Sequence, residues 1–222
     1  MKALLLPLLM SILWASNELD NDSYTDPETG KIYYPAPSLD FNQLALPYYG
    51  FTPKNLHWIK AALELRQEAE QKQVWPKYRF GSSSLDKGGY DCSGAIYAAL
   101  KTLNTAPPRT SSQQYEWLLN HGQVHKVAPE AQDLNHDSLD QLQPGDLVFW
   151  SGTYTPTDAR KHNISHVGMF LGYQNDYERP IMICSSKGRY YKGKPRDGYG
   201  IYDFKLPSKT SKSKIVAYGR MN

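Results

Sequence analysis

The order of the predicted secondary-structure elements is the feature that most constrains the fold of this 222-residue chain. Before Pro144-Gly145, apolar residues recur at helical spacing. After it, short runs rich in β-branched and aromatic residues are separated by Gly, Pro and Asn turns. Helices followed by strands predict an α+β architecture, in which N-terminal helices pack on a mostly antiparallel sheet of five to six strands.

Three helices and five strands are predicted. The helices run from Asn55 to about Gln73, from near Cys92 to before Pro107, and from about Ser112 to Asn120. The strands cover Asp146 to Ser151, His166 to Gly172, Ile181 to Ser185, Gly200 to Phe204, and Lys214 to Gly219. Asp91 or its neighbour is expected to cap the second helix, and Ser111 with Gln114 matches a capping box for the third. Residues 77–90, rich in Gly and Ser, are predicted to form a loop.

The first sixteen residues have the composition of a secretory signal peptide. A basic start at Met1 and Lys2 precedes an apolar run from Leu4 to Leu13, and Ala15 and Ser16 are small enough for cleavage. The run is too short to span a bilayer, and an uncleaved anchor is the alternative interpretation. We therefore expect an exported protein, periplasmic or secreted, with no stable membrane span after signal cleavage.

Residues 17–53 are rich in Asp, Asn, Ser, Pro and Tyr and show no clear period. They are predicted to be a polar leader that is extended or wraps the domain, and residues 54–222 are predicted to form that domain. The leader also marks an uneven charge distribution. Residues 17–50 hold six Asp and Glu against Lys31, whereas residues 179–222 hold eleven Lys and Arg against two Asp. A basic end indicates an anionic partner, which charge alone leaves open between nucleic acid, an acidic membrane face and a cell-wall polymer.

Cys92 is the candidate nucleophile. It lies at the predicted start of the second helix, where the partial positive charge of a helix N-terminus favours a thiolate. A thiolate that attacks an acyl carbon needs a proton donor for the leaving amine. His166 opens a predicted central strand that could hold its imidazole against the helix end. On spacing alone, the alternative is that Cys92 is a buried small apolar residue.

Five segments, in the order of the chain, carry a family resemblance. They are Lys77 to Gly81 with Gly88 to Gly94, Pro108-Arg109-Thr110-Ser111 with Gln113 or Gln114, Leu142 to Trp150, Ser165 to Gly172, and Ile215 to Arg220. These segments resemble the NlpC family of papain-like cysteine peptidases, which act on bacterial cell-wall peptides. The resemblance covers about residues 55–222. It implies a papain-like minimal fold and an NlpC-type catalytic domain over residues 54–222.

The resemblance implies catalytic roles for three residues. Cys92 would be the nucleophile, and His166 would be the general acid and base. Tyr78 matches a family tyrosine that lies over the nucleophile, and its hydroxyl would donate a hydrogen bond to the oxyanion together with the Cys92 backbone amide. A packed aromatic side chain is the alternative role for Tyr78.

The resemblance also implies substrate-binding roles around the thiol. Asp91 and Ser93 match residues that hold the free amine of substrates beginning with an L-Ala–γ-D-Glu unit. A cationic amine would offset the effect of Asp91, whose charge opposes ionisation of the neighbouring thiol. Arg109 is a candidate for steering a substrate carboxylate, with a surface or helix-capping arginine as the alternative.

The chain departs from the family at the third catalytic position. Where the family has a polar residue, often His, Asn or Gln, the chain has Cys184, with Ser185 one step along the strand. Since side chains alternate between the faces of a strand, only one of the two can point at His166, and the alignment favours Cys184. If both cysteines lie at one site, we hypothesise that Cys92 and Cys184 form an inactivating disulfide in an oxidising compartment. A small core residue is the alternative for Cys184.

The implied function is hydrolysis of peptidoglycan stem peptides, at the bond between γ-D-glutamate and a diamino acid. The partner would be peptidoglycan or a muropeptide, not nucleic acid, and the protein is expected to be a monomer. Alternatives are another cell-wall amidase, an antibacterial toxin on the same fold, or a catalytically silent wall-binding domain. No metal is expected, because the pair of His121 and His125 and the pair of His162 and His166 both lack the Glu of a zinc-binding HExxH sequence. No cofactor is expected, and no glycine-rich loop is followed by the Lys-Ser/Thr of a phosphate-binding loop.

Overall fold

The computed structural model describes residues 22–46 and 53–221, so the predicted signal peptide lies outside the described residues. Three α-helices and twelve β-strands, several of them very short, occur in this part of the chain. In chain order they are β1 (Tyr24–Thr25), β2 (Ile32–Pro35), β3 (Leu44–Ala45), α1 (Pro53–Gln71), β4 (Lys77–Tyr78), β5 (Ser83–Ser84), β6 (Gly89–Tyr90), α2 (Cys92–Lys101), α3 (Ser111–His121), β7 (Gly122–Lys126), β8 (Leu147–Ser151), β9 (His166–Gln174), β10 (Tyr177–Tyr191), β11 (Lys194–Asp203) and β12 (Lys214–Met221).

The five predicted strands form the centre of the main sheet, in the order β11-β10-β9-β8-β12, and all their pairings are antiparallel. Four short strands enlarge this sheet to nine: β1 and β2 beside β11, β3 on β9, and β7 beside β12. With three helices preceding the central strands, the predicted α+β architecture is confirmed. The pairing of β2 with β11 is parallel.

The two faces of the sheet pack against different parts of the chain. One face buries Phe149, Val167 and Ile183 against Ile59 of α1 and Ile96 of α2. On the other face, a second core contains Val148, Trp150, Phe170, Met182, Cys184, Tyr202, Tyr218, and three residues of the segment between β7 and β8, Val127, Ala131 and Leu139. Because side chains alternate along each strand, neighbouring residues of β9 and β10 belong to different cores.

The described part of the predicted leader, residues 22–46, lies along the sheet. Ala36 belongs to one core and Leu44 to the other, and the buried guanidinium of Arg66 in α1 donates from Nε to the carbonyl of Ala36 over 3.0 Å. The division of the chain into a leader and a catalytic domain stays a prediction. Among the described residues, no helix combines the length and apolarity that crossing a membrane requires.

Local structure departs from the sequence predictions at three places. The supposed loop of residues 77–90 contains a small sheet in which β6 pairs with both β4 and β5. The third helix is capped by Thr110, one residue before the predicted Ser111, since the Thr110 hydroxyl accepts from the Gln113 amide. After α3 the chain passes directly into β7, a strand that apolar periodicity did not indicate, because most of its residues are only partly buried or exposed.

Candidate active site

Cys92 is the first residue of α2, and its side chain is buried, with 6% of the residue exposed. Burial raises the pKa of the Cys92 thiol to about 11, and the charge of Asp91 raises it further. The backbone amides of Val167 and Ser93 and the charge of Arg109 act in the opposite direction. The helix N-terminus predicted to favour a thiolate is present, but desolvation outweighs it, so the free protein holds a neutral thiol at pH 7.

Asp91 caps α2 and is surrounded by hydrogen-bond donors. Its carboxylate accepts from the amides of Gly94 at 2.6 Å and Gly81 at 2.7 Å. Arg109 binds it with both terminal nitrogens, Nη1 and Nη2, each at 2.9 Å. Ser93 joins the cluster, because its hydroxyl donates to Asp91 over 3.3 Å and accepts from Arg109 over 3.1 Å. The three residues predicted to bind substrate are thus brought together, but they bind one another in the free protein.

The turn around Asp91 depends on a residue without a side chain. A Cβ atom at Gly94 would lie 2.0 Å from the carbonyl oxygen of Ser82 and 2.9 Å from both Asp91 Oδ1 and Arg109 Nη2. Distances under 3.0 Å are not tolerated between such atoms, so Gly94 allows the 82–91 segment to pack on the start of α2. This close packing fixes the position of Cys92 relative to the sheet.

His166 begins β9 and is buried, with 6% of the residue exposed. Its ring and that of Trp150 pack edge to face, with ring centroids 5.3 Å apart. Its Nε2 atom has no hydrogen-bond partner among the described residues. Burial lowers the pKa of His166 well below 6.5, and the positive charge of Arg189 lowers it further. The imidazole is therefore neutral and able to accept a proton. It adjoins Val167, whose amide lies against the Cys92 sulfur.

Cys184 lies on the face of the sheet that carries His166. It shares a core with Trp150 and Met182, and a Cβ atom at Gly168 of β9 would lie 3.0 Å from its Cβ. Ser185 points the other way, because its hydroxyl donates to the carbonyl of Tyr90 over 2.6 Å. Between the two residues considered for the third position, the geometry therefore favours Cys184.

The thiol of Cys184 is poorly suited to carry charge. Burial raises its pKa to about 12, against a smaller opposing effect from Arg189. Cys92 and Cys184 are both free thiols in this structure. Their disulfide therefore remains a hypothesis.

Tyr78 lies near both thiols. Burial raises its pKa well above 10, and the negative charges that Cys92 and Asp91 would carry raise it further. The phenol therefore keeps its proton and can act as a hydrogen-bond donor over the whole physiological range. Its backbone amide donates to Asp197 of β11 over 3.3 Å, which anchors β4 beside the main sheet.

Three features of the site were not identified from the sequence. Trp150 packs against His166, and the guanidinium of Arg189 lies 4.8 Å from the centre of the Trp150 ring. Phe80, which is 74% exposed, meets Tyr154 edge to face at 5.7 Å. The sequence indicates Trp150 only as part of a predicted strand segment and Arg189 only as one of several charges in a basic stretch. No local sequence pattern marks either residue as part of the site. Among the described residues, no group of three or more His, Cys, Asp or Glu side chains is placed to hold a metal ion.

The fold and the site define a class of protein, an α+β domain in which a cysteine at a helix N-terminus meets the backbone of an antiparallel strand that begins with a histidine. A model of the NlpC/P60 family matches residues 75–194, which is more than half of the chain. The chain therefore belongs to the NlpC/P60 family, and the family resemblance found in the sequence is confirmed.

Two curated relatives have named activities. The chain is 32% identical over 133 residues to the gamma-DL-glutamyl hydrolase of Bacillus subtilis (strain 168). It is 28% identical over 140 residues to the murein DD-endopeptidase MepH of Escherichia coli (strain K12). These matches include 58% and 60% of this chain but only 26% and 44% of the relatives. The chain thus spans less than half the length of the curated relatives that it matches.

Solved structures of the same family are also similar. The P60 domain of an antigen from M. avium subspecies paratuberculosis is 22% identical, with a TM-score of 0.41 over 73% of this chain and 94% of that one. A protein similar to a lipoprotein of the NLP/P60 family from Staphylococcus aureus subsp. aureus Mu50 is 21% identical, with a TM-score of 0.41 over 90% of this chain and 56% of that one.

Proposed function

We propose that this chain is a cysteine peptidase that hydrolyses peptidoglycan stem peptides at the bond between γ-D-glutamate and a diamino acid. One contact between α2 and β9 carries the proposal. The Cys92 sulfur at the start of α2 lies against the backbone amide of Val167, the residue that follows His166 in β9. The named activity of the B. subtilis relative, a gamma-DL-glutamyl hydrolase, supports the choice of a γ-glutamyl bond.

The proposed reaction proceeds in two stages. Cys92 Sγ attacks the γ-carbonyl carbon while its proton passes to His166, which gives a tetrahedral oxyanion that Tyr78 and the Cys92 amide stabilise. The carbon–nitrogen bond then breaks, and the departing amine takes the proton from His166. Water next attacks the thioester, with His166 accepting a proton and returning it to the sulfur. The products are a free γ-carboxylate and a free amine.

The resting protonation states suit this sequence of proton transfers. A thiol with a pKa of about 11 and an imidazole with a lowered pKa do not exchange a proton in the free protein. The proton moves only when the developing charges are stabilised in the transition state, which is the state that catalysis must favour. Bound substrate must therefore supply or complete part of the polar environment of His166.

We further propose that the protein acts outside the cytoplasm, in the periplasm or after secretion. The family's association with the cell wall supports this location, and the predicted signal peptide over residues 1–16 would provide export. The substrate partner would be peptidoglycan or a muropeptide, and the protein would act as a monomer.

A second bond specificity is favoured by one comparison. The E. coli relative is named a murein DD-endopeptidase, which implies cleavage of a peptide bond between two D-centres instead of the γ-glutamyl bond. Both reactions would use the same nucleophile and the same histidine. They differ in the products that they release from one substrate.

Digestion of purified muropeptides, followed by mass analysis, tests the proposal and separates the two specificities. We expect release of fragments that end in γ-D-glutamate, in the presence of reductant. Replacement by Cys92→Ala or His166→Ala should lower the rate by on the order of 10³-fold or more. His57→Ala is the matched control, since His57 is an exposed histidine of α1. Fragments cut only at D,D-bonds would favour the second specificity, and unchanged cleavage by Cys92→Ala would contradict both.

A further inference from the structure

The basic side chains of the β10–β11 hairpin differ in what they contact. Most of them have a partner within the protein. Lys187 forms an ion pair with Asp26, Lys192 lies over the rings of Tyr177 and Tyr191, Lys194 lies over Tyr34, and Arg196 donates to the carbonyl of Pro35. Arg189, like Lys192 and Lys194, has a ring contact, but its ring, Trp150, packs against His166. Arg189 is half-buried, and among the described residues no carboxylate lies within ion-pair distance of its guanidinium.

Arg189 lies beside the proposed catalytic residues. Its guanidinium lies 4.8 Å from the centre of the Trp150 ring, and that ring packs against His166. Its charge lowers the pKa of both His166 and Cys184, which places it near both side chains. A cation held at this point by ring stacking has its hydrogen-bond donors free for a ligand.

The surroundings of Arg189 contain other polar atoms without partners. Trp150 is fully buried, and its Nε1 donor has no hydrogen-bond partner among the described residues. The buried His166 Nε2 atom also lacks a hydrogen-bond partner among the described residues. Buried polar groups are usually paired, and leaving them unpaired costs free energy. An unpaired cation beside unpaired buried nitrogens indicates that a hydrogen-bond acceptor with negative charge belongs here, and a carboxylate matches the fork of a guanidinium.

We propose that Arg189 binds the free carboxylate of the substrate that lies nearest the scissile bond. The inference rests on the proposed function, because it assigns a specificity to the same site. A γ-linked D-glutamyl residue keeps its α-carboxylate, a short methylene chain away from the reacting carbonyl. The diamino acid on the other side of the bond carries a carboxylate of its own. Both have the chemistry that Arg189 recognises, and the experiment distinguishes them.

Carboxylate binding would also complete the environment of His166. In the free protein the uncompensated charge of Arg189 helps to keep the imidazole neutral. A carboxylate paired with Arg189 neutralises that charge and stabilises the imidazolium that forms when Cys92 transfers its proton. A substrate that carries the carboxylate would thus be both better bound and better activated than its amide.

The test uses three synthetic stem peptides and full-length protein. The first peptide has both carboxylates, the second has the γ-glutamyl α-carboxylate converted to an amide, and the third has the carboxylate of the diamino acid converted instead. The proteins are the wild type, Arg189→Gln and Arg189→Lys. Arg179→Gln is the matched control, because Arg179 is a 60% exposed arginine of the same strand, 4.0 Å from Asp203.

We expect one of the two amides to lower the wild-type kcat/KM by about 10- to 100-fold, as loss of a charge-assisted hydrogen bond would. Arg189→Gln should lower kcat/KM by a similar factor on the first peptide, which carries both carboxylates. On the sensitive amide peptide, the same variant should differ little from the wild type. Arg189→Lys should recover part of the loss, and Arg179→Gln should match the wild type. The amide that produces this non-additive pattern identifies the carboxylate.

Two results would overturn the inference, and they are distinguishable. If the wild type cleaves all three peptides equally well, or Arg189→Gln loses the same factor on each, Arg189 recognises no carboxylate while the proposed function stands. If the wild type cleaves none of the peptides at the γ-glutamyl bond, the proposed function fails, and the specificity assigned to Arg189 fails with it.

Discussion

The candidate active site contains two arginines in contrasting environments. Arg109 binds the carboxylate of Asp91 through two nitrogens, and that carboxylate also accepts from two backbone amides. Arg189 lies on the Trp150 ring beside His166, with no carboxylate within ion-pair distance among the described residues. The first arrangement is complete without a ligand and holds the start of α2 in place. The second is incomplete, and we infer that the substrate completes it.

This contrast shows how to separate structural charge from functional charge. Both arginines are partly buried and lie near Cys92 or His166, so distance to the site does not distinguish them. What distinguishes them is whether the protein itself supplies the counter-charge. Replacing a residue of the Arg109–Asp91 ion pair should therefore lower the free energy of unfolding. Replacing Arg189 should lower activity and leave the free energy of unfolding almost unchanged.

Asp91→Ala should have the largest effect on stability. It removes the cap of α2 and leaves Arg109 without its carboxylate, and breaking a largely buried ion pair typically costs about 3–5 kcal/mol. Urea denaturation monitored by circular dichroism would measure the change in the free energy of unfolding. The double variant Asp91→Ala with Arg109→Ala should recover part of the loss, because no charge is left unpaired. A loss under about 1 kcal/mol for Asp91→Ala would contradict the structural role of this cluster.

Acidification should destabilise the protein through His166. The folded pKa lies well below 6.5, so below about pH 6.5 the unfolded chain binds a proton that the folded protein does not. The contribution of His166 to the free energy of unfolding is therefore fully present above that pH. It decreases as the pH falls, by up to about 1.4 kcal/mol per pH unit. Urea denaturation between pH 7.5 and pH 5.5 should show this slope in the wild type, beyond the slope of His166→Gln. Identical pH dependence in both proteins would show that His166 is not buried as a neutral imidazole.

Arg189→Gln should have the smallest effect on stability. Its loss removes a ring contact but no ion pair, so we expect a change within about 0.5 kcal/mol in the free energy of unfolding. The same urea experiment measures it, with Arg179→Gln as the comparison. A decrease of several kcal/mol in the free energy of unfolding would mean that Arg189, like Arg109, has a structural role.

Much of the scaffold follows from local patterns in the sequence. The apolar periodicity around Ile59 and Ile96 predicts the first two helices, and the β-branched and aromatic runs after Pro144 predict the five central strands. The position of Asp91 before Cys92 predicts the helix cap that the structure contains. Each of these signals depends on residues within one or two turns of one another, which is why they can be read from one sequence.

What could not be predicted depends on contacts between distant segments. The strand at Ile32–Pro35 joins β11 in parallel, a pairing that leaves no periodic trace in a polar segment. The partner of Arg109 was not anticipated, because an ion pair between a helix cap and a later loop has no sequence signature. The association of Arg189, Trp150 and His166 similarly joins residues of three strands, β10, β8 and β9. Family patterns indicate a candidate nucleophile, but only the fold shows which charges near it are already paired.

Covalent trapping tests directly whether Cys92 is the nucleophile. A stem-peptide analogue with a chloromethyl ketone in place of the scissile amide would be incubated with the reduced protein, and the modified residue would be located by mass spectrometry of its peptides. We expect a single adduct on Cys92 in the wild type and in Cys184→Ala, and none in Cys92→Ala. An adduct on Cys184, or continued cleavage of muropeptides by Cys92→Ala, would contradict this expectation.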